Sequence, residues 1–205
     1  MESVLMLSRE VRKRISIRDI PALAKNNYSI IQFFLLYISG LVIGAAISNG
    51  FPFIRSALFS YYSLNDEFLN VFIKNFSVYL VFYLILFISG LSFIGSPFIT
   101  AVPIIAGVLY SSTAVSYKEC LIPDGYLIFL LFKLPSAILF VNTIFILTEI
   151  SRKMLCKTRS SAFTDSTVSR EFKDYILYFL IILIFGLICA ITDATMLSMV
   201  KTIIK

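Results

Sequence analysis

No histidine occurs anywhere in this sequence. That absence removes at once the commonest general base and the commonest metal ligand. Cysteine is scarce: Cys120, Cys156 and Cys189 are odd in number and far apart, so no disulfide framework and no metal-ligand spacing is visible. The phosphate loop GxxxxGK[ST], the HExxH zinc motif and the GxSxG nucleophile elbow are all missing. Intramembrane proteases need an aspartate pair, a serine–histidine pair or zinc ligands, and this chain can build none of them. A serine acting with Lys133 is chemically possible, but no spacing supports it. These absences argue against an enzyme and leave neither a catalytic residue, a metal nor a cofactor to expect.

Charge is also in short supply. Only 15% of residues are charged and 59% are hydrophobic, with a mean hydropathy of +0.90. A soluble domain is about 25% charged and about 45–50% apolar. No charged residue stands between Lys74 and Lys118, a stretch about twice the roughly 20 residues that cross a bilayer. The chain therefore reads as an all-α, polytopic integral membrane protein with no separate soluble domain. Its net charge of +6 does not point to nucleic acid, because the basic residues flank apolar runs, which is the pattern of membrane orientation.

Five spans are expected, at about 28–48, 76–94, 98–116, 126–148 and 175–199. Residues 1–27 form a basic tail, cytoplasmic and too long to be the n-region of a cleaved signal peptide. Residues 51–74 carry Arg55, Asp66, Glu67 and Lys74 and are too charged to span; an amphipathic helix at the outer interface is expected over Phe68–Asn75. Residues 149–174 read as a basic cytoplasmic loop, with its Ser/Thr-rich part, 158–169, as a mobile connector. The tail and this loop carry six Lys/Arg each, against two and one in the intervening loops. Positive-inside bias puts both rich segments in the cytoplasm, which requires an even number of crossings between them. Five spans satisfy this and leave the C-terminus outside.

Few positions stand out within the spans. Gly40 and Gly44 lie one turn apart, so another helix can pack closely against them, either inside the bundle or in a partner. Gly95 and Pro97 punctuate a helical hairpin. Pro103 and Gly107 favour a kink in span 3. Lys133 is buried well within span 4, where a charge is a functional hypothesis by default; the plain alternative is snorkelling to the interface. Pro135 follows it and can free carbonyls for the ammonium. Asp193 lies near the outer end of span 5, and Lys133 is the only opposite charge inside another span. The two are expected at similar depth as an intramembrane polar pair.

Several segments taken in order resemble the stage II sporulation protein M family of bacterial membrane proteins. They are GLVIGAAIS in span 1, FIKNF at 72–76, ISGLSFIGSPFI at the hairpin, DGYLIFLLFKLPSAI in span 4 and AITDATM at 190–196. The resemblance implies a multi-pass protein of the bacterial cell membrane. It implies a non-enzymatic scaffold of engulfment during sporulation, which positions peptidoglycan-remodelling partners, stage II sporulation proteins P and D. The alternative is a permease subunit of an ABC-type exporter, with the 149–174 loop contacting a separate ATPase. A third class is an ion- or proton-coupled carrier using Lys133 and Asp193, for which one acid and one base make a sparse relay.

Overall fold

The computed structural model describes residues 28–53, 56, 67–120, 125–159 and 165–204. The basic tail, most of the 54–66 segment, the 121–124 turn and residues 160–164 lie outside the described residues. Five long helices account for nearly all of the rest: α1 (Tyr28–Gly50), α2 (Phe68–Leu91), α3 (Ser96–Cys120), α4 (Gly125–Arg159) and α5 (Asp165–Ile204). Each is long and apolar enough to cross a membrane. Among the described residues there is no strand, so the fold is an all-α polytopic bundle.

Side-chain contacts give the direction of every helix. Tyr83 of α2 meets Thr143 of α4, and Tyr175 of α5 meets both Ser151 of α4 and the Phe87 carbonyl of α2. Tyr79 of α2 and Ser136 of α4 both reach Asp193 of α5. Residue numbers thus rise together along α2 and α4 and fall along α5. On the other side, Gly40 faces Ile104 and Gly44 faces Val108, so α1 and α3 run parallel. The α2–α3 hairpin completes a strict alternation of direction. The α4–α5 junction therefore sits at the same end of the bundle as the start of α1.

Helices α2 and α4 form the centre. Helix α3 packs on one side of them and α5 on the other, and α1 lies outside α3, touching α4 and neither α2 nor α5. The core gathers around Phe140, which is fully buried and packed by the rings of Tyr79, Phe82, Tyr83 and Tyr110. Phe34 and Tyr37 of α1 meet Phe145 of α4 edge to face, with ring centroids 6.5 and 6.1 Å apart.

The α1–α3 contact is a backbone-to-backbone approach. A Cβ at Gly40 would collide with the Ile104 carbonyl, one at Gly44 would lie 2.5 Å from the Val108 carbonyl oxygen, and one at Gly107 would collide with the Tyr37 carbonyl. Only glycine fits at such separations. The freed proximity lets Ser111 donate to the Leu41 carbonyl (2.6 Å) and Ser112 to the Gly44 carbonyl (3.2 Å). At the hairpin, the Gly95 N–H donates to the Ser92 carbonyl (3.0 Å), and the Gly95 carbonyl accepts the Ile99 N–H (3.0 Å). A Cβ on Gly95 would strike the Ser89 carbonyl. Pro97 occupies the first turn of α3, where a missing N–H leaves no bond unmade. Pro103 and Pro135 are carried inside continuous helices.

Two boundaries differ from expectation. Phe68–Asn75 is not a separate interfacial helix; it is the first two turns of α2. Val71, Asn75 and Tyr79 recur every four residues as one buried stripe, with Val71 packed on Ala194 and Leu197 of α5. That stripe continues the helix past its charged residues. Likewise α4 runs on to Arg159 and α5 starts at Asp165, so most of 149–174 is helix and not loop. Its charges are spaced for helical pairing: Glu149 lies 3.3 Å from Arg152 and 3.4 Å from Lys153. Lys157 then bridges to Glu171 across the two helices at 2.6 Å.

Candidate functional site

The polar heart of the bundle is Asp193. Its side chain is fully shielded, an arrangement that is costly for a carboxylate unless its oxygens are engaged. Both are. The Lys133 ammonium of α4 lies 2.9 Å from Oδ2. The Tyr79 hydroxyl of α2 donates to the same oxygen, and the Ser136 hydroxyl of α4 donates to Oδ1. Ser136 also lies 3.0 Å from the Lys133 carbonyl, so one hydroxyl ties the ammonium's own helix turn to the carboxylate. Three helices thus meet in one charge-neutral cluster. Helix α3 closes it: Tyr110 and Tyr117 are buried in the same packed core as Tyr79.

Local sequence explains the placement. Lys133 and Ser136 are three residues apart on α4 and share a face. Tyr79 and Tyr83 are four apart on α2, and each uses its ring to pack on Phe140 and its hydroxyl to reach a polar partner. Below the cluster, Tyr83 and Thr143 share a hydrogen bond of 2.7 Å. At the far end of the bundle the Tyr175 hydroxyl meets the Phe87 carbonyl at 2.9 Å and the Ser151 hydroxyl at 3.1 Å. Gly90 makes room for that hydroxyl, and Gly186 for the Tyr83 ring. The α2–α4–α5 seam therefore carries three polar layers separated by aromatic packing.

Of the residues singled out in the sequence, the structure brings Lys133 and Asp193 into direct contact, with Pro135 on the intervening turn of α4. Gly40, Gly44 and Gly107 meet at the separate α1–α3 seam, and Gly95 and Pro97 lie at the hairpin, away from the cluster. Tyr79 and Ser136 are partners that sequence reading missed. A signal existed, because a buried carboxylate needs more than one donor and hydroxyls at helical spacing within the spans are the available ones. Chemically the cluster couples an acid to a base with both carboxylate oxygens occupied. Among the described residues no group of three or more His, Cys, Asp or Glu is gathered as a metal site.

Tyr79→Phe keeps the ring on Phe140 and deletes one donor to the carboxylate. The expected loss is about 1–2 kcal/mol, between typical membrane hydrogen bonds and those made to charges. Reversible unfolding in mixed micelles measures it, and an unchanged midpoint would mean the hydroxyl contributes nothing to the cluster.

Neither a curated protein nor a solved structure matches the chain. The family model described as Stage II sporulation protein M matches residues 33–196. That interval takes in part or all of every helix, the α2–α3 hairpin, Gly40 and Gly44 of α1 and every member of the charge cluster. The chain, a multi-pass membrane protein, belongs to the stage II sporulation protein M family.

Proposed function

We propose that the protein is a non-enzymatic scaffold of the bacterial cell membrane that recruits or positions peptidoglycan-remodelling proteins, with partners of the stage II sporulation P and D type. The observation that carries this reading is the family match across 33–196. The chemistry of the bundle supports it. Both oxygens of Asp193 are taken up by donors of the same chain, so the pair acts as an internal clamp on α2, α4 and α5. A clamped bundle offers its outer faces and loops to partners. The Lys/Arg-rich α4–α5 end, with the N-terminal tail, faces the cytoplasm by the positive-inside rule.

Crosslinking in native membranes, followed by identification of the captured proteins, tests the role. Peptidoglycan hydrolases should be recovered with the chain, and the purified chain should hydrolyse neither peptidoglycan nor ATP. Stoichiometric recovery of a separate ATPase, or turnover abolished by a point substitution in this chain, would overturn the proposal. Orientation has its own test. Single cysteines at positions 10 and 203, in a background without the native cysteines, should label from opposite sides of the membrane. Labelling of both from one side would reject the odd number of crossings.

A further inference from the structure

Three serine and threonine hydroxyls on the outward surface of this bundle satisfy themselves. Ser77 donates to the Ile73 carbonyl at 2.7 Å, Thr192 to Ile188 at 2.9 Å and Thr195 to Ile191 at 2.7 Å. This back-bonding is available to a hydroxyl one turn along a helix. A carboxamide carries two N–H donors and an acceptor, and one helical carbonyl cannot serve them all. Asn142 of α4 is the contrasting case. Its side chain is exposed, and among the described residues it takes part in no hydrogen bond. It lies roughly 13 Å along the axis from Lys133 and roughly 10 Å from Glu149, deep in the zone where no water relieves an unmet amide.

Asn142 also has a particular setting. It lines a groove of about 610 Å³ between α1 and α4, whose other walls include Phe34, Tyr37, Leu134, Ile138 and Phe145. The groove exists because α1 is drawn to α3 by its glycines and makes only slight contact with α4. A lipid acyl chain would fill its apolar walls but could neither donate to nor accept from the amide. A second copy presenting the same face would set one concave surface against another and leave both walls unfilled. A single helix fits: its convex apolar side fills a trough between two helices, and one polar side chain at the right depth completes the amide.

We infer that this groove seats one transmembrane helix of a different polypeptide, carrying a carboxamide or hydroxyl side chain opposite Asn142. The inference rests on the recruiting role proposed above and supplies that role with its contact inside the membrane.

A photo-crosslinking residue at Ile138, with Ile188 on α5 as the control position, tests it in native membranes. Adducts at 138 should map to the membrane-spanning segment of another protein, at or near an Asn, Gln, Ser or Thr. Asn142→Leu should lower their yield about three- to tenfold at unchanged abundance of the chain, the range expected for one interhelical polar contact. Asn142→Gln should retain most of it. Adducts to lipid alone, adducts joining two copies of differently tagged chain, or yields indifferent to Asn142→Leu would each overturn the inference. Should the Leu variant fail to accumulate, the identity of the adduct at 138 in the unaltered chain decides. The two readings fail separately. Wall hydrolases recovered while the groove captures only lipid would leave the recruiting role standing and reject the groove. A captured helix from a protein unconnected with the cell wall would do the reverse.

Discussion

Lys133→Met alone and Asp193→Asn alone are each expected to destabilise the protein more than the two changes together. Breaking a buried ion pair by removing one member strands the other, at a typical loss of about 3–5 kcal/mol. One escape route reduces that here: Lys133, whose side chain is 12% exposed, has a path toward the interface. Each single change should therefore lose on the order of 3 kcal/mol. The double change leaves Tyr79 and Ser136 facing an uncharged amide and a thioether. Its loss should be nearer 1 kcal/mol, because replacing a whole buried pair by well-packed neutral groups is often close to neutral. The measurement is a double-mutant cycle by reversible unfolding in mixed micelles. Additive losses, with the double change as damaging as the sum, would mean that the ammonium and carboxylate act independently despite their separation of 2.9 Å.

The other large effect is expected at the α1–α3 seam. Gly40→Ile with Gly44→Ile places branched side chains against the carbonyls of Ile104 and Val108. These are backbone atoms in the middle of a helix, so no rotamer change makes room. Overpacking a core by added methylenes typically costs about 1–3 kcal/mol per site. Two such sites in one seam exceed what the remaining contacts of α1 with α4 can hold. Helix α1 should separate from α3 while α2–α5 keep their cluster. Paired cysteines replacing Leu41 and Ser111, whose parent residues share a hydrogen bond of 2.6 Å, would report the seam directly. They should crosslink efficiently in the parent and poorly in the isoleucine variant. Undiminished crosslinking would show that the seam tolerates side chains there and that the glycines are not its determinant.

The architecture was legible because its signals are long. Spans of twenty apolar residues and the count of Lys/Arg around them lead to five helices without reference to any contact. Depth along a span also brings Lys133 and Asp193 to one level, since each helix advances a fixed 1.5 Å per residue. The remaining donors were hidden because Tyr79 is 114 residues from Asp193 and Ser136 is 57. A tyrosine in an apolar run looks like packing until its neighbour is known. The start of α2 was misread for a related reason. Lys74 and Glu67 weaken the apolar average there, yet Val71 and Asn75 hold the buried stripe, and the helix follows the stripe. In 149–174, the density of charge points to a loop, whereas Glu149, Arg152, Lys153 and Lys157 are spaced to support a helix and to tie it to its neighbour. Asn142 drew no notice because one amide among apolar residues carries no periodic signal; only its exposure on α4 makes it unusual.

The parallel pairing of α1 with α3 has a consequence for biosynthesis. Helix α1 cannot find its partner until α2 has already crossed back and the hairpin at Gly95 has turned. Until then its glycine face is open to lipid or to the insertion machinery. The charge cluster closes later still: Lys133 enters with α4, but the carboxylate that neutralises it arrives near the end of α5. A nascent chain therefore passes through a stage in which an uncompensated ammonium sits in the bilayer beside a completed α1–α3 pair. Chains stopped short of Asp193 should be recognised as unfinished by the membrane's proteases, while those that reach it should not.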